Sequence, residues 1–122
     1  MSATPHLDRW FASMDSDDPD DVLNQITDDF VMSVQFSKGG GDSAEFRGDR
    51  AGLEGYLAQR EKGALVHEVQ VSSTSEGHEL CLGRTTRDGE FEAQFTAVAQ
   101  IDEASGKVRR LLICRTPEIS FA

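Results

Sequence analysis

Residues 65–101 read LVHEVQVSSTSEGHELCLGRTTRDGEFEAQFTAVAQI, and the reading of this stretch decides the fold. The dipeptides Glu76-Gly77 and Asp88-Gly89 cut it into three runs, Leu65–Thr74, Glu79–Arg87 and Glu90–Ile101. Each run alternates apolar and polar residues, as strands do, and each dipeptide suits a two-residue hairpin turn. A fourth strand, Lys107–Thr116, follows a turn at Glu103–Gly106 and stops at Pro117. The C-terminal half is therefore expected to be an antiparallel meander.

Upstream of it the pattern is helical. Thr4-Pro5 has the form of an N-cap followed by proline at the first helical position. Leu7, Trp10, Phe11 and Met14 then recur at helical spacing. Residues 15–21 form an acid-rich break whose aspartates read as helix capping plus solvated charge. Their spacing lacks the glycine and terminal glutamate of a calcium loop. Asp18 and Pro19 open a second helix carrying Val22, Leu23 and Ile26. Phe30, Met32, Val34 and Phe36 alternate with Val31, Ser33 and Gln35 and predict a strand. Ser37–Ser43, with its run Gly39–Gly41, reads as a mobile loop that could form a lip over a pocket, and residues 44–47 as a short return strand. Asp49 caps a third helix with Leu53, Tyr56 and Leu57 on its apolar stripe. Helices first and a meander second predict an α+β fold, with three helices packed on one face of a curved sheet.

Composition bounds the function. The 122 residues suit one domain, 1–122, able to bury a core without metal or disulfide staples. The net charge of -10 opposes nucleic acid and anionic membranes. No apolar stretch reaches membrane-spanning length, and the N-terminus shows neither the basic region nor the apolar run of a signal peptide, so a cytoplasmic location is expected. Cys81 and Cys114 lie in apolar strand patterns and read as buried free thiols. No spacing suggests zinc, so neither metal nor cofactor is expected.

Counting outward from Asp88-Gly89 pairs Thr86 with Phe91, Arg84 with Ala93 and Leu82 with Phe95. Counting from Glu76-Gly77 pairs Val71 with Leu82, Val69 with Arg84 and His67 with Thr86. Opposed residues share a sheet face. On this register, which assumes no bulge in either hairpin, His67 and Arg84 are diagonal neighbours about 7–8 Å apart on the apolar face. Small Ala93, Ala97 and Ala99 beside them leave room for a pocket facing the helices. The alternatives for Arg84 are a snorkelling edge arginine or a partner of Asp8 or Glu54, and for His67 a satisfied edge histidine. The opposite face is expected to carry Cys81, Thr96, Val98, Leu111 and Ile113. A helix layer covers one face only, so a homodimer through Val98, Leu111 and Ile113 is expected.

The order of elements resembles the nuclear transport factor 2-like superfamily and its SnoaL-like branch. The likeness rests on helix 6–14, the acidic break, Thr27-Asp-Asp-Phe30 leading into a strand, Phe46-Arg-Gly48, Gly52-Leu-Glu-Gly-Tyr56 and the closing meander. The resemblance implies a cystatin-like cone around a cavity, common dimerisation, and activities that include polyketide cyclases, isomerases, epoxide hydrolases and dehydratases beside members without catalysis. The carboxylates these enzymes use are missing from the corresponding places: residues 32–36 hold no acid, the late-strand position is near Ala97, and residues 108–116 hold no Asp, Glu or His. The residues left to do chemistry are His67, as a base kept neutral by a nearby arginine, and Arg84, as a stabiliser of an enolate or carboxylate. Trp10, Met14, Met32, Phe36, Tyr56 and Phe95 are expected to line the pocket. The expected function is binding of a small apolar metabolite, with cofactor-independent cyclase, isomerase or dehydratase chemistry, or alternatively a non-catalytic binding or dimerisation module.

Overall fold

The computed structural model describes residues 2–59 and 65–121. Arg60, expected beyond the third helix, and Ala64, expected to open the meander, lie outside the described residues. Helix α1 (Pro5–Asp15) is followed by a 3-10 helix (Pro19–Gln25), strands β1 (Ile26–Gly39) and β2 (Asp42–Asp49), helix α2 (Arg50–Gln59), and strands β3 (Leu65–Ser75), β4 (His78–Arg87), β5 (Glu90–Asp102) and β6 (Lys107–Thr116). The six strands form one curved sheet in the order β2-β1-β6-β5-β4-β3, with β1–β6 parallel and every other pair antiparallel. The three helices fill its concave side, so the fold is the expected α+β cone.

Both hairpin turns lie where their sequences place them, with Glu76, Gly77, Asp88 and Gly89 all at positive φ. The next residues out also pair as counted: Ser75 with His78, and Arg87 with Glu90. The ladders then slip. Gln70 is an extra residue in β3, Glu92 in β5 against β4, and Arg109 in β6. Each bulge moves the residues beyond it to the other face and adds bend, which a sheet wrapping three helices requires. Arg84 therefore pairs with Gln94 rather than Ala93, and Gly83 with Phe95. Val69 pairs with Gly83, and His67 with Thr85. The concave face of β4 carries Cys81, Gly83 and Thr85, while Leu80, Leu82 and Arg84 face outward.

The same slip corrects the expected dimer surface. Without the Arg109 bulge, the pair Asp102–Lys107 would set Val98 against Leu111. With it, Ala97 pairs with Ile113 and Ala99 with Leu111, so both β6 residues point into the cone. Only Val98 of the expected trio lies on the convex face, between Leu80 and Leu112. Val71, expected on the apolar face with His67 and Val69, is 62 % exposed. Cys81 is buried and burial pushes its thiol up to about 11, whereas Cys114 is exposed on the convex side. Neither forms a disulfide, and only one of the two is buried as expected.

The helices follow their local signals with two exceptions. Leu7, Trp10, Phe11 and Met14 are buried, as the spacing requires, each large side chain contributing about 1.5–3 kcal/mol. Thr4 makes no side-chain cap. The buried Glu79 of β4 does so instead: its carboxylate accepts the N–H groups of His6 (3.2 Å) and Leu7 (2.9 Å), and meets His6 Nδ1 at 2.5 Å. A carboxylate at a helix N-terminus is favoured by the helix dipole, so this cap also ties α1 to the sheet. The second helix is 3-10, buries Val22 and ends before Ile26, which already belongs to β1. Asp49 caps α2 as expected, accepting the Gly52 N–H at 3.0 Å. The expected loop at 37–43 contracts to a tight hairpin: Gly39 pairs with Asp42, and Gly40-Gly41 form the turn at positive φ. Three consecutive positive φ angles explain the glycine run without a lip.

Candidate active site

Strand β3 is the edge of the sheet, so alternate N–H groups of its backbone have no strand to pair with. At His67 the last residue of α1 supplies the acceptor. Asp15 Oδ2 accepts the His67 backbone N–H at 2.6 Å, and Asp15 Oδ1 meets His67 Nδ1 at 2.6 Å. One carboxylate thus holds both the strand and the ring. The imidazole stacks on Phe11 (centroids 4.7 Å apart, planes 15° apart) and meets Phe95 edge-on at 5.5 Å. The His67 and Asp15 side chains are each only 14 % exposed.

This geometry sets the ring chemistry. An ionised Asp15 is an acceptor only, so Nδ1 carries the proton and a neutral ring presents Nε2 as a lone pair. Nε2 has no hydrogen-bond partner among the described residues. The ring lines a cavity of about 70 Å³ inside the cone, together with Trp10, Phe11, Met14, Met32, Val34, Tyr56, Leu65, Ile113 and Arg115. The walls are apolar apart from His67, Arg115 and the Tyr56 hydroxyl. A histidine oriented by a carboxylate and open at its other nitrogen is equipped to take and return a proton.

The structure brings some expected residues together and separates others. Trp10, Met14, Met32 and Tyr56 line the cavity with His67, Tyr56 standing at its rim against Phe46. Phe95 lies beneath the imidazole and does not line the cavity. Phe36 borders an outer chamber instead. Arg84 lies on the far side of the sheet, where its Nε donates to Glu68 at 3.1 Å, its direct cross-strand partner. None of the weighed partners of Arg84, Asp8, Glu54 or His67, meets it.

The arginine beside His67 is Arg115, which the bulge at Arg109 carries to the concave face. Arg115 and Leu65 form a wall shared with the outer chamber, about 350 Å³, which Phe36, Ser37, Lys38, Arg87, Glu92, Ala93 and Pro117 also line. Glu92 accepts from Arg87 (2.8 Å) and Arg115 (2.9 Å). Partial burial alone would raise the Glu92 carboxyl, but the hydrogen bonds and charges of the two arginines outweigh it and hold the group below the usual range.

Asp15 was missed by the sequence reading, which assigned it to the acidic break. Its signal was the four-residue spacing from Phe11, which puts both on one helix face. The same imidazole contacts both.

Neither a protein-family model nor a curated protein matches the sequence. Solved structures do. A candidate isomerase of the SnoaL-like family from Agrobacterium tumefaciens superposes with a TM-score of 0.65 at 10 % identity, over 93 % of this chain and 96 % of its own. A SnoaL-like protein of unknown function from Burkholderia thailandensis gives 0.64 at 19 % identity, over 93 % of both chains. A candidate polyketide cyclase from Sinorhizobium meliloti gives 0.62 at 18 % identity, over 88 % of this chain and 92 % of its own. Identities this low carry the fold and not the chemistry. With its element order, curved six-stranded sheet and helix-filled concave side, this chain has the fold shared by SnoaL-like and nuclear transport factor 2-like proteins.

Proposed function

We propose that this protein is a cofactor-independent enzyme of proton transfer, acting on a small, apolar, oxygenated metabolite in the manner of an isomerase, cyclase or dehydratase. The observation that carries this reading is the Asp15–His67 pair, with Nδ1 held at 2.6 Å, Nε2 without a partner among the described residues, and the residue lining the cavity. In the proposed reaction Nε2 removes a proton from carbon next to a carbonyl, and the C–H electron pair becomes the enolate. Asp15 stays ionised and stabilises the imidazolium. The imidazolium then returns its proton to another carbon, which isomerises the substrate, or to a departing hydroxyl, which releases water. The reading needs neither metal nor redox partner. The two free thiols, Cys81 and Cys114, suit a reducing cytoplasm.

The test is proton exchange. The protein is incubated in deuterium oxide with a panel of small ketones and β-hydroxyketones, and loss of C–H signal or formation of the unsaturated ketone is followed by proton NMR. Exchange or dehydration well above the buffer rate is expected for at least one member. A panel that binds and does not react would replace this reading by the ligand-binding module.

The convex face supports a second copy as partner. Leu80, Val98 and Leu112 form one cross-strand row, with Leu80 38 % and Leu112 44 % exposed. Ile119 and Phe121 of the C-terminal segment are also exposed, and Phe121 is tied by its N–H to Gln94 Oε1 at 2.8 Å. An exposed apolar row flanked by polar groups fits a homodimer interface better than it fits water. Analytical ultracentrifugation is expected to give a dimer that Leu112→Arg converts to monomer. A monomeric wild-type protein at micromolar concentration would overturn the assignment.

A further inference from the structure

A wall of two residues stands between the His67 cavity and the larger chamber outside it. Leu65 and Arg115 line both spaces, about 70 Å³ on the inner side and about 350 Å³ on the outer. Glu92 lines the outer chamber and not the inner cavity, and its Oε2 accepts from Arg115 Nη2 at 2.9 Å. The Arg115 side chain therefore runs from cavity to chamber, with its guanidinium tied at the chamber end. The anchor is itself held, because Glu92 Oε1 accepts from Arg87 Nε at 2.8 Å. Two bulges build this arrangement. The extra residue Arg109 turns Arg115 to the concave face, and Glu92 is the extra residue of β5. Bulges re-aim side chains in this way. An arginine fastened at its tip by a charge-assisted bond, and only 23 % exposed, is a fixed partition rather than a wandering side chain.

We propose that Arg115 is the specificity-determining residue of the His67 site: its bulk confines the ligand to the inner cavity, so the site takes a small unbranched carbonyl compound and excludes a ring. The choice of a carbonyl compound rests on the proton-transfer reading, but the size limit stands on the wall alone. An apolar cavity of about 150 Å³ accepts benzene. The inner cavity, at about 70 Å³, fits a chain of a few carbon atoms and not a six-membered ring. Its mouth lies beside Tyr56, which is 39 % exposed. Truncating the wall joins the cavity to the chamber and lifts the limit.

The neutral ketones 2-butanone and cyclohexanone test this. Each is titrated into the full chain in deuterium oxide up to about 10 mM, enough to reveal millimolar affinity, and followed by the His67 ring shifts in NMR. General apolar binding favours cyclohexanone, which has more carbon to bury. The wall reverses that order, and 2-butanone is expected to bind at least about tenfold more tightly. Arg115→Ala should abolish the preference. Arg115→Met, which keeps the length and loses the charge, should retain it. Because Arg115→Ala also unties Glu92, Leu65→Ala is the second opening variant. It thins the same wall without removing a side-chain hydrogen bond and should cut the preference severalfold. Equal affinities, tighter binding of cyclohexanone, or no binding of either ketone to the wild-type protein overturns the proposal. So does a preference unchanged in Leu65→Ala or lost in Arg115→Met. The same samples report deuterium exchange at the butanone carbons next to the carbonyl. A preference without exchange sinks the proton-transfer reading and leaves the partition standing. Exchange without the preference does the reverse.

Discussion

His67→Gln should lower turnover by a factor of about 10²–10⁴, the usual contribution of a positioned general base. Glutamine can still donate to Asp15 through its amide, so the contact between α1 and β3 is partly kept. A shift of only a few degrees in melting temperature is expected. Asp15→Asn should cost turnover by a comparable factor through a different route. The asparagine amide offers a donor as well as an acceptor, so the ring loses the partner that holds its proton at Nδ1, and Nε2 is no longer held as the free lone pair. Both effects should fall on kcat more than on KM, since neither residue is assigned to ground-state binding. Steady-state kinetics on a substrate found by exchange, with a thermal melt of each variant, checks this. Full activity in a folded His67→Gln protein would remove histidine from the mechanism.

Gly83→Ala should destabilise the fold by about 3 kcal/mol, at the upper end of ordinary overpacking. The glycine is not there for a turn. A Cβ at this position would lie 2.4 Å from Phe95 Cζ and 2.6 Å from the Glu68 carbonyl oxygen. The carbonyl belongs to the neighbouring strand and cannot swing away, so relief must come from the Phe95 ring or from separation of β3 and β4. Phe95 is 2 % exposed and packs against Phe11 and His67. Moving it would disturb the imidazole as well as the core. Denaturant unfolding of Gly83→Ala, Phe95→Leu and the double variant forms the test. A leucine lacks the atom that clashes, so the double variant should be more stable than the two single losses predict by addition. A Gly83→Ala protein as stable as the wild type would mean that the strands part without cost.

The two results probe one feature from opposite sides. Phe95, placed over Gly83, supports the ring that Asp15 orients. The convex row of Leu80, Val98 and Leu112 sits on the reverse of the same strands. One sheet therefore carries the cavity on its inner face and the apolar row on its outer face, and the bulges determine which residues face which way.

Much of this was legible in the sequence. The turn dipeptides, the apolar spacing of α1, the Asp49 cap and the stop at Pro117 are local signals, and local backbone preferences decide them. They yielded the order of elements and the fold class. His67 was legible as the histidine of the inner face, and four of the six expected lining residues do line its cavity. The partner of His67 was not legible. A hairpin count carries pairing outward one residue at a time, and one extra residue reverses every side chain past it. Three such residues, Gln70, Glu92 and Arg109, exchanged Arg84 for Arg115 and turned Leu111 and Ile113 inward. Nothing local distinguishes these three from their neighbours. They are extruded because a sheet closing over three helices must bend, and that demand comes from packing between distant segments. By itself the sequence determined the elements, their order and the histidine, through turn chemistry and hydrophobic period. The tertiary structure alone decided that Asp15 holds that histidine, that Arg115 stands beside it, and which apolar row faces outward, because each depends on where a curved sheet breaks its register.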